Sequence, residues 1–177
     1  MDIQEFFQQC AGKWFSQRTS HALPPQELEV GKSDVWIDFL AADNPEIAKL
    51  CQQCRVDPGL ALCGIQTKWE GTVGANPNKE SGSALLVAIA DGNDSNIGKF
   101  LRTLNFPGET PTVGRYLTNT DDSITLKIES DTLQTEERLW FVSPNLRERT
   151  SIVTHANGSS YASFCSEIRM GSPAPQS

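Results

Sequence analysis

Short runs in which hydrophobic and polar residues alternate make up most of this chain. Residues two apart lie on the same face of a β-strand, so each run predicts a strand with one buried face. Turn sequences separate the runs, and Asn157-Gly158 is the strongest hairpin signal among them. The predicted strands span residues 13–19, 33–40, 65–73, 83–89, 99–104, 112–118, 123–130, 135–142, 147–154 and 159–169.

Helical patterns are confined to the start of the chain and to one insertion. Residues 2–9 place Ile3, Phe6 and Phe7 on one face, with Asp2 as the cap, which predicts a short amphipathic helix. A second helical stretch covers residues 45–54, and a short turn covers 57–62. Many consecutive strands with so few helices indicate an antiparallel meander, which closes into a barrel or forms a sandwich.

A barrel of eight to ten strands would remove exposed strand edges and leave room for one ligand. Gly12-Lys13-Trp14, behind the first helix, resembles the Gly-x-Trp mark of the lipocalin-like (calycin) folds. In those folds an arginine from the last strand packs over the tryptophan, and Arg169 is placed to do so. We therefore expect an all-β, lipocalin-like antiparallel barrel over residues 1–171, followed by a disordered tail at 172–177.

The charge of the chain limits its partners. Its 15 basic and 22 acidic residues give a net charge of −7, which disfavours nucleic acid or an anionic membrane surface as the main partner. No apolar run approaches the roughly 20 residues of a membrane-spanning helix, and no signal peptide is visible. The odd number of cysteines, five, indicates reduced thiols in a reducing compartment. No spacing of His, Asp or Glu typical of a metal site is found, so no metal is expected.

Arginines alternate along the strand predicted at residues 147–154. Arg147, Arg149 and Ser151 share one face, and two guanidiniums on one face suit a carboxylate ligand, which each can bind bidentately. The alternative is an exposed strand whose charges face water.

The preceding strand carries two adjacent glutamates that compete for the same pocket. Glu137 lies ten residues before Arg147, an even interval, so an uninterrupted alternation puts both on one face. The turn at Pro144 could break that phase. Glu136 and Trp140 share the opposite face, and both faces cannot point inward unless a bulge intervenes.

Three segments carry a resemblance to a known family: residues 135–151, residues 1–7 and residues 163–170. Together they resemble the S/U-type phycobiliprotein lyases, which attach linear tetrapyrroles (bilins) to cysteines of light-harvesting proteins. The resemblance implies a lyase that binds phycocyanobilin or phycoerythrobilin. It implies apo-phycobiliprotein subunits as partners, and a homodimer or a heterodimer with a family paralogue. The expected location is the cytoplasm, or the plastid stroma if the gene is plastid-encoded.

The resemblance also implies roles for individual residues. It assigns catalytic roles to Glu137, Arg147 and Ser151. Arg147, helped by Arg149 or Arg18, would hold the propionates of the bilin, and Glu137 would bond its pyrrole N–H groups. Trp69 would restrain the pigment. The full set of expected bilin-binding residues outside the catalytic three is Arg18, Trp69, Glu136, Trp140 and Arg149.

One position departs from the family pattern and keeps two alternatives open. The family often carries a second tryptophan six residues after Trp69, on the same face, where this chain has Ala75. This suggests a non-catalytic bilin carrier or the partner subunit of a lyase. The other alternative is a general lipocalin-like binder of an acidic apolar ligand, such as a fatty acid.

Overall fold

A computed structural model describes residues 1–23, 28–92, 94, 96–104 and 109–171. Ten antiparallel strands form a closed barrel in which each strand pairs with the next and the last pairs with the first. The predicted lipocalin-like barrel is thereby confirmed. The strands are β1 (Gly12–Leu23), β2 (Glu29–Ala41), β3 (Ala61–Val73), β4 (Glu80–Ala90), β5 (Ile97–Leu104), β6 (Thr112–Thr118), β7 (Ile124–Glu129), β8 (Leu133–Ser143), β9 (Leu146–His155) and β10 (Ser160–Met170).

The first two strands are longer than the alternation predicted. β1 continues to Leu23, and β2 begins at Glu29 rather than Ser33. These added segments are rich in polar residues, so their hydrophobic pattern is weak. Backbone pairing extends them, because Ser20 of β1 pairs with both Glu29 of β2 and Ser163 of β10. Backbone hydrogen bonding of this kind depends on partners distant in the chain and leaves no mark on the local sequence.

A short helix closes one end of the barrel. α1 (Ile3–Cys10) starts with a capping box, in which the Glu5 amide donates to Asp2 Oδ1 at 2.8 Å and the Asp2 amide donates to Glu5 Oε2 at 3.1 Å. Its apolar face is fully buried among inward-facing residues of the strands. Phe6 contacts Phe141 of β8 with ring centroids 5.1 Å apart. The helix therefore forms the floor of the lumen.

The second helix packs on the outside of the barrel. α2 (Pro45–Gln53) is capped by the Asn44 side chain, which accepts from the Glu46 amide at 3.0 Å, and a 3₁₀ turn follows at Pro58–Leu60. Its buried residues form a separate core with the outer sides of β3, β4 and β5. That core consists of Ile47, Leu50, Cys51, Ala61, Leu85, Val87, Ile89 and Leu101.

Trp14 and Arg169 join the first and last strands to the helix. The Arg169 guanidinium lies 4.1 Å from the Trp14 ring, as the Gly-x-Trp motif predicted. It also donates to the carbonyls of Ala11 at 2.6 Å and Gln9 at 2.7 Å. Gly12 has a φ of +125°, and a Cβ there would lie 2.9 Å from Arg169 Nη1. Glycine is therefore required where the chain passes from the helix into β1.

Three sequence-based expectations concern the cysteines, membrane-spanning helices and the C-terminal tail. All five cysteines are free thiols, and four of them are buried. In the described part of the chain, neither helix is long and apolar enough to span a membrane. The disordered tail predicted at residues 172–177 lies outside the described residues.

Candidate functional site

The lumen of the barrel contains a cavity of about 400 Å³. Its floor is formed by Phe6, Phe7 and Cys10 of α1. The lining continues to Val73 and Leu104, which end β3 and β5 at the opposite end of the barrel. The volume lies in the range of known ligand sites, so the lumen is a candidate binding site for one organic molecule.

Charged side chains form part of the wall of this cavity. Four arginines and three glutamates contribute to the wall, so the lumen carries one net positive charge in a chain whose net charge is −7. Cations gathered in a partly enclosed cavity attract anionic ligands more strongly than they would at the surface. The seven residues are Arg18, Arg102, Arg147, Arg149, Glu80, Glu137 and Glu167.

The deepest charges belong to Arg147 and Glu167, which are paired across β9 and β10. Arg147 Nε lies 2.7 Å and Nη2 lies 2.5 Å from Glu167 Oε2, and the side chains are only 5% and 2% exposed. Burial works to raise the pKa of the Glu167 carboxyl, but the charges of Arg147 and Arg149 outweigh it and hold that pKa below its ordinary value. Glu167 is therefore ionised and neutralises Arg147. Arg147 lines the cavity, but Glu167 already engages its guanidinium, so its expected contact with a bilin propionate stays a prediction.

Arg149 remains the more available guanidinium of the two. Its side chain is 36% exposed, and its Nη2 lies 3.7 Å from Glu167 Oε1 and 3.5 Å from Cys165 Sγ. Cys165 pairs with Arg18 of β1 on its other side, so the two guanidiniums flank the thiol on one inward face. Arg18 also lines the cavity and lies 3.8 Å from Glu29.

The two adjacent glutamates of β8 point to opposite sides of the wall. Glu137 lines the cavity, where its Oε1 lies 3.3 Å from Nη1 of Arg102. Glu136 lies on the outer face and pairs with Lys127 of β7 at 2.8 Å. The even spacing between Glu137 and Arg147 thus gave the correct phase. Strict alternation turns Glu136 outward, so it does not line the cavity, and its expected role in ligand binding stays a prediction that this position does not support.

Neither Trp140 nor Ser151 is among the described residues that line the cavity. Trp140 shares the outward phase of Glu136 and is paired with Glu148 of β9, so it too does not line the cavity. The bulge near the end of β8 falls between Phe141 and Ser143 and does not turn Trp140 inward. Ser151 has the inward phase and is paired with Glu137, but among the described residues it does not belong to the cavity lining.

Trp69 lines the cavity from β3 and packs against the inner core. Ala75, two residues beyond the end of β3, lies in an exposed turn. The interval of six residues therefore does not place Ala75 on the face of Trp69, because strand alternation stops at Val73.

Sequence reasoning missed several charged or polar residues of the wall, among them Glu80, Arg102, Cys165 and Glu167. Glu167 and Cys165 follow from Arg169 by alternation along β10, so the expected contact of Arg169 with Trp14 already implied that they face inward. Arg102 gave a weaker signal, because Leu101 on the outer face of β5 is apolar and buried under α2. Hydrophobicity therefore does not show which face of β5 points inward. Among the described residues, His, Cys, Asp and Glu form no cluster of three suited to a metal ion.

The sequence pattern of the CpeS-like protein family matches residues 2–170. This chain belongs to the CpeS-like family. It is 47% identical to a relative from Thermosynechococcus vestitus named chromophore lyase CpcS/CpeS, over 99% of this chain and 96% of the relative. It is 35% identical to the phycocyanobilin lyase subunit CpcS of a Picosynechococcus, over 96% of this chain and 86% of that protein.

A solved CpeS-like structure has the same barrel. The S-type phycobiliprotein lyase CPES from Guillardia theta superposes with a TM-score of 0.85 at 34% identity, covering 97% of this chain and 94% of that one. These comparisons confirm the assignment to the phycobiliprotein lyases, and with it the enzyme class, that the three motifs indicated. The charged lumen is the candidate bilin site of this CpeS-like protein.

Proposed function

We propose that this chain binds a phycobilin in its lumen and attaches it through a thioether to a cysteine of an apo-phycobiliprotein. The observation that carries the proposal is an arginine-rich lumen, lined by a tryptophan, in an acidic protein. A phycobilin is a flat conjugated tetrapyrrole with two propionates, so it requires cations and an apolar surface in one cavity. The names of the relatives, chromophore lyase and phycocyanobilin lyase subunit, support it.

Arg149 and Arg18 are the better candidates to hold the propionates. Both line the cavity and retain exposed guanidinium surface, whereas Arg147 is buried against Glu167. Arg147 and Glu167 would instead form a rigid, buried ion pair that holds the Arg149 guanidinium in place. The three residues combine two positive charges with one negative charge, which leaves a net attraction for one carboxylate.

Glu137 and Trp69 would act on the conjugated part of the pigment. The Glu137 carboxylate faces the lumen and can accept hydrogen bonds from pyrrole N–H groups, which favours the protonated, more electrophilic bilin. Trp69 offers an aromatic surface on the β3 wall that can restrain the pigment's conformation. Ser151, beside Glu137 in register, would support that carboxylate rather than contact the pigment directly.

The proposed reaction is an addition without a leaving group. The client thiol adds to the ethylidene of pyrrole ring A, so a sulfur–carbon bond forms and the thiol proton ends on the adjacent ring carbon. Because the client supplies the nucleophile, the lyase contributes binding, orientation and stabilisation of the protonated pigment.

The proposal also covers the partners and the location of the protein. We infer an assembly of two subunits, either two copies of this chain or this chain with a family paralogue. Exposed apolar side chains on the outer face of β10, and one on β2 beyond the intervening β1, support an interface there; they are Phe164, Ile168, Met170 and Trp36. The expected location, cytoplasm or plastid stroma, stays a prediction.

A carrier or partner subunit is the second candidate function. The word subunit in the name of one relative favours it. Such a protein would bind the pigment without accelerating thioether formation on its own. A general binder of acidic apolar ligands, such as fatty acids, would leave the bilin spectrum unchanged.

One experiment separates these functions. Phycocyanobilin and phycoerythrobilin are each mixed with the protein, the absorption spectrum is recorded, and an apo-phycobiliprotein subunit is then added, with and without a family paralogue. A lyase gives a spectral change followed by accelerated, denaturation-resistant attachment to the client. A carrier gives the spectral change alone, and a partner subunit attaches pigment only with the paralogue present. An unchanged spectrum with both pigments would contradict bilin binding.

A further inference from the structure

The Arg102–Glu137 ion pair crosses the lumen between two strands that are not neighbours in the barrel. Arg102 is on β5 and Glu137 is on β8, with β6 and β7 between them. Both side chains line the cavity, and they are 24% and 18% exposed. A ligand that fills the lumen therefore meets both charges at once.

This pair is held far less firmly than the buried pair at the base of the cavity. One hydrogen bond of 3.3 Å joins Arg102 Nη1 to Glu137 Oε1. By contrast, Arg147 contacts Glu167 through two nitrogens at 2.7 and 2.5 Å in nearly complete burial. The long contact and the partial exposure make the crossing pair the one that a ligand can open at low cost.

We propose that Arg102 is a further bilin-binding residue and that its pair with Glu137 opens when the pigment enters. Glu137 then accepts from the pyrrole N–H groups, and Arg102 takes a propionate. This inference rests on the proposed bilin binding and adds a residue and a partner exchange to it.

The exchange is favourable because Arg102 and Glu137 each keep an opposite charge beside them. The propionate neutralises Arg102, and the protonated bilin neutralises Glu137, so neither group is left as an unpaired charge in the lumen. Each gains a charge-assisted hydrogen bond in place of one long contact. A ligand with carboxylates alone would compensate Arg102 but leave Glu137 unpaired, so the pair selects ligands that carry both N–H donors and carboxylates.

The test compares a phycobilin with its dimethyl ester, in which both propionates lose their charge. Arg102→Met should weaken binding of the free acid roughly tenfold or more, the effect of losing a charge-assisted contact. It should leave binding of the dimethyl ester within about twofold of the parent or slightly tighter, because Glu137 no longer has to leave a partner. The affinity of Arg102→Lys for the free acid should lie between those of the parent and Arg102→Met, and its affinity for the ester should match that of the parent.

Lys127→Met is the matched control, since Lys127 pairs with Glu136 on the outer face of the same part of the barrel. It should change neither affinity, and thermal unfolding should show that each variant is folded. The exchange would be overturned if Arg102→Met weakened binding of the acid and the ester equally, or weakened binding of neither. Arg102→Lys would then show the same result. A parent protein that binds neither pigment would instead refute the proposed function.

Discussion

Glu136 and Glu137 are adjacent in the chain, yet they face opposite environments. Glu136 is half exposed and paired with Lys127 outside the barrel, whereas Glu137 is in the lumen beside Arg102. Strict strand alternation produces this difference, because successive side chains emerge on opposite faces. A matched pair of substitutions therefore tests the role of the lumen carboxylate.

Glu137→Gln retains the size and much of the hydrogen bonding of the side chain but removes the charge that favours protonated bilin. We expect the bound pigment to absorb more like free neutral bilin and transfer to the client to slow by roughly tenfold or more. Glu136→Gln should behave like the parent. The bound spectrum and the transfer rate are measured for both at one pH, and a spectral loss confined to Glu136→Gln would contradict the assignment.

Glu167 is expected to determine stability more than ligand contact. Glu167→Gln leaves Arg147 buried without its counter-ion, so it should lower the free energy of unfolding by about 3–5 kcal/mol at neutral pH. Urea unfolding checks this value. Glu148→Gln, on the outer phase of the neighbouring strand, is the control and should stay within about 0.5 kcal/mol of the parent.

The lowered pKa of Glu167 also predicts a pH dependence with a definite sign. Its folded-state pKa lies below the unfolded value of about 4.3, so its stabilisation is fully present above that pH. The stabilisation is lost as the pH falls through the folded-state pKa. The difference in unfolding free energy between the parent and Glu167→Gln should therefore shrink on acidification below about pH 4. A difference that grows there would contradict the assigned ion pair.

At the scale of elements, the closure of the barrel depends on how β10 meets β1 and α1. Arg169 of β10 covers Trp14 of β1 and donates to the last carbonyls of α1 and to the turn before β9 at Pro144. A planar fork with several donors is needed to reach these acceptors together. The same helix is the floor of the bilin cavity, so this junction connects barrel closure with the site.

Arg169→Lys keeps the charge but cannot make the divergent contacts. We expect a loss of about 2 kcal/mol in the free energy of unfolding, the sum of two lost hydrogen bonds of roughly 1 kcal/mol each. Arg115→Lys, on an exposed side chain, should change stability by less than about 0.5 kcal/mol. Equal unfolding free energies for Arg169→Lys and the parent would show that the charge alone closes the barrel.

At the scale of the whole molecule, the outer surface is uneven. Phe164, Ile168 and Met170 are at exposed outer positions of β10, and Trp36 is exposed on β2, with Lys13 of β1 between Met170 and Trp36. Several exposed apolar side chains on one strand are typical of interfaces. The proposed two-subunit assembly makes this surface its first candidate contact.

Ile168→Ser combined with Phe164→Ser should shift the protein from dimer towards monomer by at least tenfold in dissociation constant, since two apolar anchors would be lost. Sedimentation equilibrium measures the constant. Val113→Ser with Leu117→Ser, on exposed positions of β6, is the control. An unchanged dimer in the first variant, or a parent that is monomeric at all concentrations, would remove this face as the contact.

Much of the site could be derived from strand phase alone. The ten strands were predicted in order, and the even interval from Glu137 to Arg147 gave their common inward face. The family, the barrel and the contact of Arg169 with Trp14 also followed from residues in the sequence. These features depend on side-chain alternation and short motifs, which are local properties of the chain.

Only the tertiary structure decided which charges pair. Glu167 neutralises Arg147 because the register of β9 and β10 sets them opposite each other, and Arg102 reaches Glu137 because the barrel closes around the lumen. Alternation assigns a side chain to a face but does not specify its partner across the fold. The sequence by itself therefore determined the family, the strands and most inward residues. The three-dimensional closure decided that Arg147 is buried and neutralised while Arg149 and Arg102 remain accessible to a ligand.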